Sequence, residues 1–99
     1  MKYLIWLSHD TSSIGELCRP LLGEGHEVGI LLIQDGVFML DRGCPLSKEL
    51  QGIAATIYAL KDHIDERGIG SRLVVEAEHI DYNQMVELLM EKYDKIVTA

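Results

Sequence analysis

The sequence predicts an α/β protein built on a mostly parallel sheet. The apolar runs KYLIWL (2–7) and EVGILLIQ (27–34) are continuous rather than alternating, which is the pattern of strands buried on both faces. Segments of helical character separate the strand-like runs along the whole length, as crossovers in a parallel sheet require. The chain has 99 residues, enough for a single hydrophobic core and so one domain over 1–99.

The first strand is KYLIWL, bounded by the polar stretch SHDTSS. Ser13 and Glu16 have the spacing of a capping box, which starts a helix near Ile14 with Leu17, Leu21 and Leu22 facing inward. Pro20 falls inside that helix and shortens, kinks or delays it, and GEG at 23–25 stops it. The second strand follows over 27–34. The pair Asp35-Gly36 then has the composition of a two-residue hairpin. The unbroken apolar run before it argues instead for a strand end, with Asp35 as N-cap of a short helix over VFMLDR and Gly43 beyond.

CPLSKELQGI (44–53) reads as loop with one turn of helix, and ATIYAL (55–60) as the third strand. KDHIDER makes a short helix ended by Gly68. SRLVVEAE (71–78) is mixed, with Leu73, Val74 and Val75 strand-like. DYNQMVELLMEKY (81–93) is the clearest helix: Asp81 and Gln84 can form a capping box, Ile80 can staple onto Met85, and Tyr82, Val86, Leu89 and Tyr93 form an apolar stripe. KIVTA ends the chain as a short strand.

With 47% apolar and 25% charged residues the chain is an ordinary soluble globular one, and no apolar run reaches the ~20 residues of a membrane span. No cleavage site follows the opening strand, so a cytoplasmic location without membrane contact is expected. Nine basic against sixteen acidic side chains give a net charge of −7, which repels phosphate backbones and argues against direct nucleic-acid binding. Two cysteines, Cys18 and Cys44, are too few for a disulfide framework and should be thiols.

Ligands of open parallel sheets bind beyond the carboxyl ends of the strands. That rule selects His9, Asp10, Gln34, Asp35, Gly36, Asp62 and His63, whereas His26 and His79 read as surface residues. Each of the selected residues, taken singly, is more often a solvated cap or turn. No metal-ligand spacing, dinucleotide fingerprint or P-loop occurs, and a chain this short has little material for a hydrolase pocket, so neither metal nor cofactor is expected. Cys18 lies in the first helix beside Arg19, which favours thiolate, while Asp10 and Glu16 oppose it.

Three blocks carry a family likeness. LLIQDGVFML, IYALKDHIDERGI and IDYNQMVELL, in that order, resemble the DsrH/TusB family of sulfur-relay proteins within the DsrE-like group. In that family the second block ends Ala-Arg-Gly, where this chain has Glu66-Arg67-Gly68. The resemblance implies a three-layer sandwich around a central sheet of about five strands. It also implies a small subunit that passes sulfur as cysteine persulfide, in tRNA 2-thiouridine synthesis or in sulfur oxidation. The implied partners are DsrE/TusD-like and DsrF/TusC-like sister subunits, a second copy of the chain, and other sulfur carriers. DsrH-type members carry a cysteine in the first helix shortly before Glu-Gly, and ELCRPLLGEG puts Cys18 at that place as the candidate persulfide carrier. Two other readings compete with it: a non-catalytic interaction subunit of the same assembly, and a small-molecule-binding module using Asp35 and His9.

Overall fold

A computed structural model describes residues 1–9 and 14–98. Five strands, β1 (Lys2–Leu7), β2 (Glu27–Leu32), β3 (Thr56–Leu60), β4 (Glu78–Ile80) and β5 (Lys95–Thr98), form one sheet in the order β4-β3-β2-β1-β5. All four pairings are parallel. Helix α1 (Ile14–Gly23) joins β1 to β2, a 3-10 helix (Gln34–Leu40) and α2 (Ser47–Gln51) join β2 to β3, and α3 (Lys61–Glu66) leads towards β4. Helix α4 (Tyr82–Glu87) runs into a wider π turn (Leu88–Lys92) before β5.

The strand order dictates the layers. From β1 to β4 the chain advances one way across the sheet, so right-handed crossovers put their helices on one face. The last crossover travels back across the sheet to β5, and its helix lands on the opposite face. Two apolar clusters result. Ile5, Leu7, Ile30, Leu32 and Ala59 meet Ile14, Val37, Leu50 and Ile64 on the first face. Leu4, Leu31, Tyr58 and Leu60 meet Ile80, Leu88 and the flanking Met85 and Leu89 on the second. Alternate residues of each central strand thus go to different cores, which is why the runs are apolar throughout.

Several elements differ from the sequence reading. The second strand ends at Leu32 rather than 34. Segment 71–78 is not a strand: Leu73 makes an isolated bridge with Asp41, and β4 begins only at Glu78. The cause is a local tie, since the Val74 N–H donates to the Leu40 carbonyl at 2.9 Å and Arg72 is held by Asp41. The last helix has its capping box, with Gln84 N–H on the Asp81 carboxylate at 2.8 Å and the Gln84 side chain returning to the Asp81 N–H at 3.0 Å. Of the expected stripe, Leu89 and Tyr93 pack against the second core with Met85 and the buried Leu88, while Tyr82 and Val86 stand outside. The π turn re-aims the helix after Glu87, a change that a regular 3.6-residue period does not contain. The proposed cap at Ser13 lies outside the described residues. Pro20 does sit within the ten-residue α1, on its exposed side.

The Asp41–Arg72 pair gives a pH test. Arg72 donates from Nε to Asp41 Oδ1 at 2.7 Å and from Nη2 to Oδ2 at 3.2 Å. Chiefly through that hydrogen bond, and against the cost of burial, the Asp41 carboxyl is held below its ordinary 3.8. A carboxyl depressed in the folded state stabilises above 3.8, and that stabilisation is lost as pH falls through the lower folded value. The expected result is that Arg72→Met melts below wild type at neutral pH and that the gap narrows on acidification. A gap independent of pH in thermal melts would remove the linkage.

Candidate functional site

The carboxyl ends of β2 and β3 open towards one polar cluster. Directly after β2, Gln34 adopts φ 48°, the left-handed region that a non-glycine residue enters at a cost on the order of 1–2 kcal/mol. Its N–H donates to His63 Nδ1 at 2.7 Å, across the start of α3. That turn lets the 3-10 helix leave immediately, with the Gly36 N–H on the Ile33 carbonyl at 2.8 Å. Gly36 then packs against the end of β1: a Cβ there would lie 2.5 Å from the Leu7 carbonyl oxygen and 3.6 Å from the His9 backbone nitrogen. The close approach leaves no room for a side chain.

His63 is the centre of the cluster, only 9% exposed. Its Nε2 is 2.9 Å from Tyr82 Oη at the start of α4. A backbone N–H can only donate, so Nδ1 is the unprotonated nitrogen and the neutral ring carries its proton on Nε2. Nε2–H therefore donates to Tyr82, and the Tyr82 hydroxyl proton is free to point outward. Beside this chain, Arg67 reaches Asp35 Oδ1 with Nε and Nη2, both at 3.1 Å, and its guanidinium lies 5.9 Å from the Phe38 ring centroid. Asp35 is largely solvated while the Arg67 side chain is mostly covered, and the pair is worth about 0–1 kcal/mol. It orients the loop more than it stabilises the fold.

The sequence-selected residues divide clearly. Gln34, Asp35 and Gly36 come together here with the exposed His9, and Asp10 lies outside the described residues. Asp35 is not the N-cap of this helix: the cap lies two residues earlier, at Ile33, and the Asp35 carboxylate turns to Arg67 instead. Arg67 and Tyr82 escaped the reading because their partners are 32 and 19 residues distant. Arg67 stood in the family-like block as the arginine before Gly68, which was the available signal. His26 is half-buried at the opposite end, near the Met1 amino group, and His79 is exposed.

Cys18 is elsewhere, on the inner face of α1, and is 0% exposed. Burial pushes its thiol up to about 11, against the pull of Arg19. On the order of one thiol in ten thousand is then ionised at pH 7. Cys44 is half-buried in the loop before α2 and lines a shallow cleft with Arg42 and Lys48. Among the described residues, no three His, Cys, Asp or Glu side chains gather to hold a metal ion. Nor is any described helix long and apolar enough to cross a membrane.

Known proteins share this chain's sequence and fold. The family model described as DsrH like protein matches residues 11–95. Protein TusB of Salmonella typhimurium is 37% identical over 87 residues, covering 86% of this chain and 88% of the relative. Protein TusB of Salmonella paratyphi B is 37% identical over 71 residues, covering 72% and 73%. The crystal structure of the ychN protein from E. coli superposes over the whole of both chains with a TM-score of 0.69 at 18% identity, a likeness of fold.

Proposed function

The chain belongs to the DsrH/TusB family, and on that premise we propose that it is a subunit of a sulfur-relay assembly that acts by contact with its sister subunits rather than by carrying sulfur on Cys18. The burial of Cys18 carries this reading. A relay cysteine must reach a donor persulfide, take its terminal sulfur, and then present that sulfur to the next thiolate. Each exchange needs a thiolate in contact with another protein, whereas the Cys18 thiol is enclosed, protonated and packed with Ile14 and Ile5. Ile14 and Cys18 stand four apart on the inward row of α1, the place of a small core hydrophobe. The sister subunits, DsrE/TusD-like and DsrF/TusC-like, would carry the exchanging cysteine. The acidic surface agrees with leaving any RNA to another member of the assembly.

The test is direct. Incubated with a persulfide donor, the folded protein should gain no sulfur on Cys18 in peptide-resolved mass spectra. Cys18→Ala should support undiminished relay in the assembled complex. A sulfur gain that Cys18→Ala abolishes, together with lost relay, would return the role of carrier to Cys18.

A further inference from the structure

The second face of the sheet is covered by one element where the first has four, and that element is apolar on its outside as well. Tyr82 and Val86 stand four residues apart on α4, and Met90 follows them in the π turn. They are 49%, 52% and 77% exposed. Ile96 of the edge strand β5 pairs with Leu4, whose side chain belongs to the second cluster, so Ile96 faces the same way and is also exposed. A row of large apolar side chains on one outer face, rather than scattered singly, marks a contact surface.

Charge narrows what the surface meets. Glu87 at the end of α4 and Glu91 in the π turn are four apart, line one cleft and make no ion pair among the described residues. Like charges at this spacing destabilise a helix, and carboxylates near a helix C-terminus oppose its dipole. Both carboxylates border a cleft of about 490 Å³ beside α4, where Lys2 and Lys92 also stand and Lys92 Nζ lies 5.6 Å from the Tyr58 ring centroid. Lys92 is committed to Tyr58, so a lysine or arginine from outside would relieve both penalties at Glu87 and Glu91. A second copy of this chain would bring the same acids and add to a net charge of −7. Tyr82 adds direction, because His63 Nε2–H already donates to its oxygen and its own proton is available to an acceptor on the partner.

From these features we infer that the outer face of α4 and the π turn, centred on Tyr82, Val86 and Met90, docks a sister subunit whose matching face is apolar, rimmed by lysine or arginine, with a hydrogen-bond acceptor opposite Tyr82. The inference rests on the reading of the chain as a relay subunit and specifies which face does the work.

Co-expression with the DsrE-like and DsrF-like sisters, followed by light scattering and affinity measurement on the purified complex, tests it. Wild type should assemble. Val86→Glu/Met90→Glu and Glu87→Lys/Glu91→Lys should each weaken binding by about tenfold or more, and Tyr82→Phe by about fivefold, with unchanged circular dichroism. The exposed Val74→Ser, away from this face, should bind like wild type. If wild type assembles and the Val86/Met90 variant assembles equally well, the docking face is wrong while the subunit reading stands. Tighter binding by Glu87→Lys/Glu91→Lys would overturn the basic rim. A wild-type homodimer dissolved by Val86→Glu/Met90→Glu would give the face to a second copy instead. A wild type that joins neither sister removes the subunit reading, and the docking face with it.

Discussion

Alanine in place of Gly36 is expected to lower the melting temperature by roughly 5–20 °C, from an overpacking cost of about 1–3 kcal/mol in a domain of this size. The added methyl would meet the Leu7 carbonyl oxygen at 2.5 Å, with its carbon at 3.1 Å. These are backbone atoms of a central strand, hydrogen-bonded on both sides, and they cannot swing away as a side-chain tip can. The displacement would instead fall on the 3-10 helix, whose Val37, Met39 and Leu40 are fully buried in the first core. Gly70→Ala is the control, since nothing lies within 4 Å of a Cβ there. Thermal melts followed by circular dichroism decide the matter, and two variants melting together would refute the close approach.

The second large effect is expected at His63. Removing the ring with His63→Ala strips the Gln34 N–H of its acceptor while leaving Gln34 in its left-handed conformation, and it also empties a nearly closed position. The Gln34 N–H is only partly buried, so its lost partner costs at most about 1–3 kcal/mol, and the lost packing of the buried ring adds to it. Two near-isosteres separate the roles of the ring. Asparagine can place an acceptor where Nδ1 stands and should restore most of the stability. Glutamine can reach Tyr82 but leaves the Gln34 amide exposed to exchange. Amide hydrogen exchange at Gln34 reads the difference: protection kept in His63→Asn and lost in His63→Gln. Equal protection in both would mean that Nδ1 is not what holds the turn.

The parts of the fold legible in the sequence are those set by local chemistry. KYLIWL is β1 to the residue, because an apolar run between polar loops has one comfortable place in a parallel sheet. The capping box of Asp81 and Gln84 is local too. What could not be read depends on distant partners. Val74 looks like strand until Leu40 claims its N–H, and Tyr82 looks like core until His63 takes its hydroxyl. Asp35 has the composition of a cap, but the left-handed turn at Gln34 moves the helix start and hands the carboxylate to Arg67. Cys18 was not legible as core: the family likeness made it a carrier and the inward row was expected at Leu17, Leu21 and Leu22, whereas the fully buried side chains of α1 are Ile14 and Cys18.

The pairing of β1 with β5 has a consequence for how the chain folds. Tyr3 lies opposite Lys95, whereas β1 meets β2 across about 25 positions, as Lys2 opposite Glu27 shows. Closing so long a loop is entropically slow, so β1–β2–β3 form first and β5 docks late. Until it does, one side of β1 is an open strand edge bearing Leu4, Ile5 and Trp6, a template for pairing with any other unfinished chain. Folding yield should then depend on how quickly residues 95–98 arrive. Slow synthesis, or a cut before Lys95, should appear as aggregation rather than as a smaller folded protein.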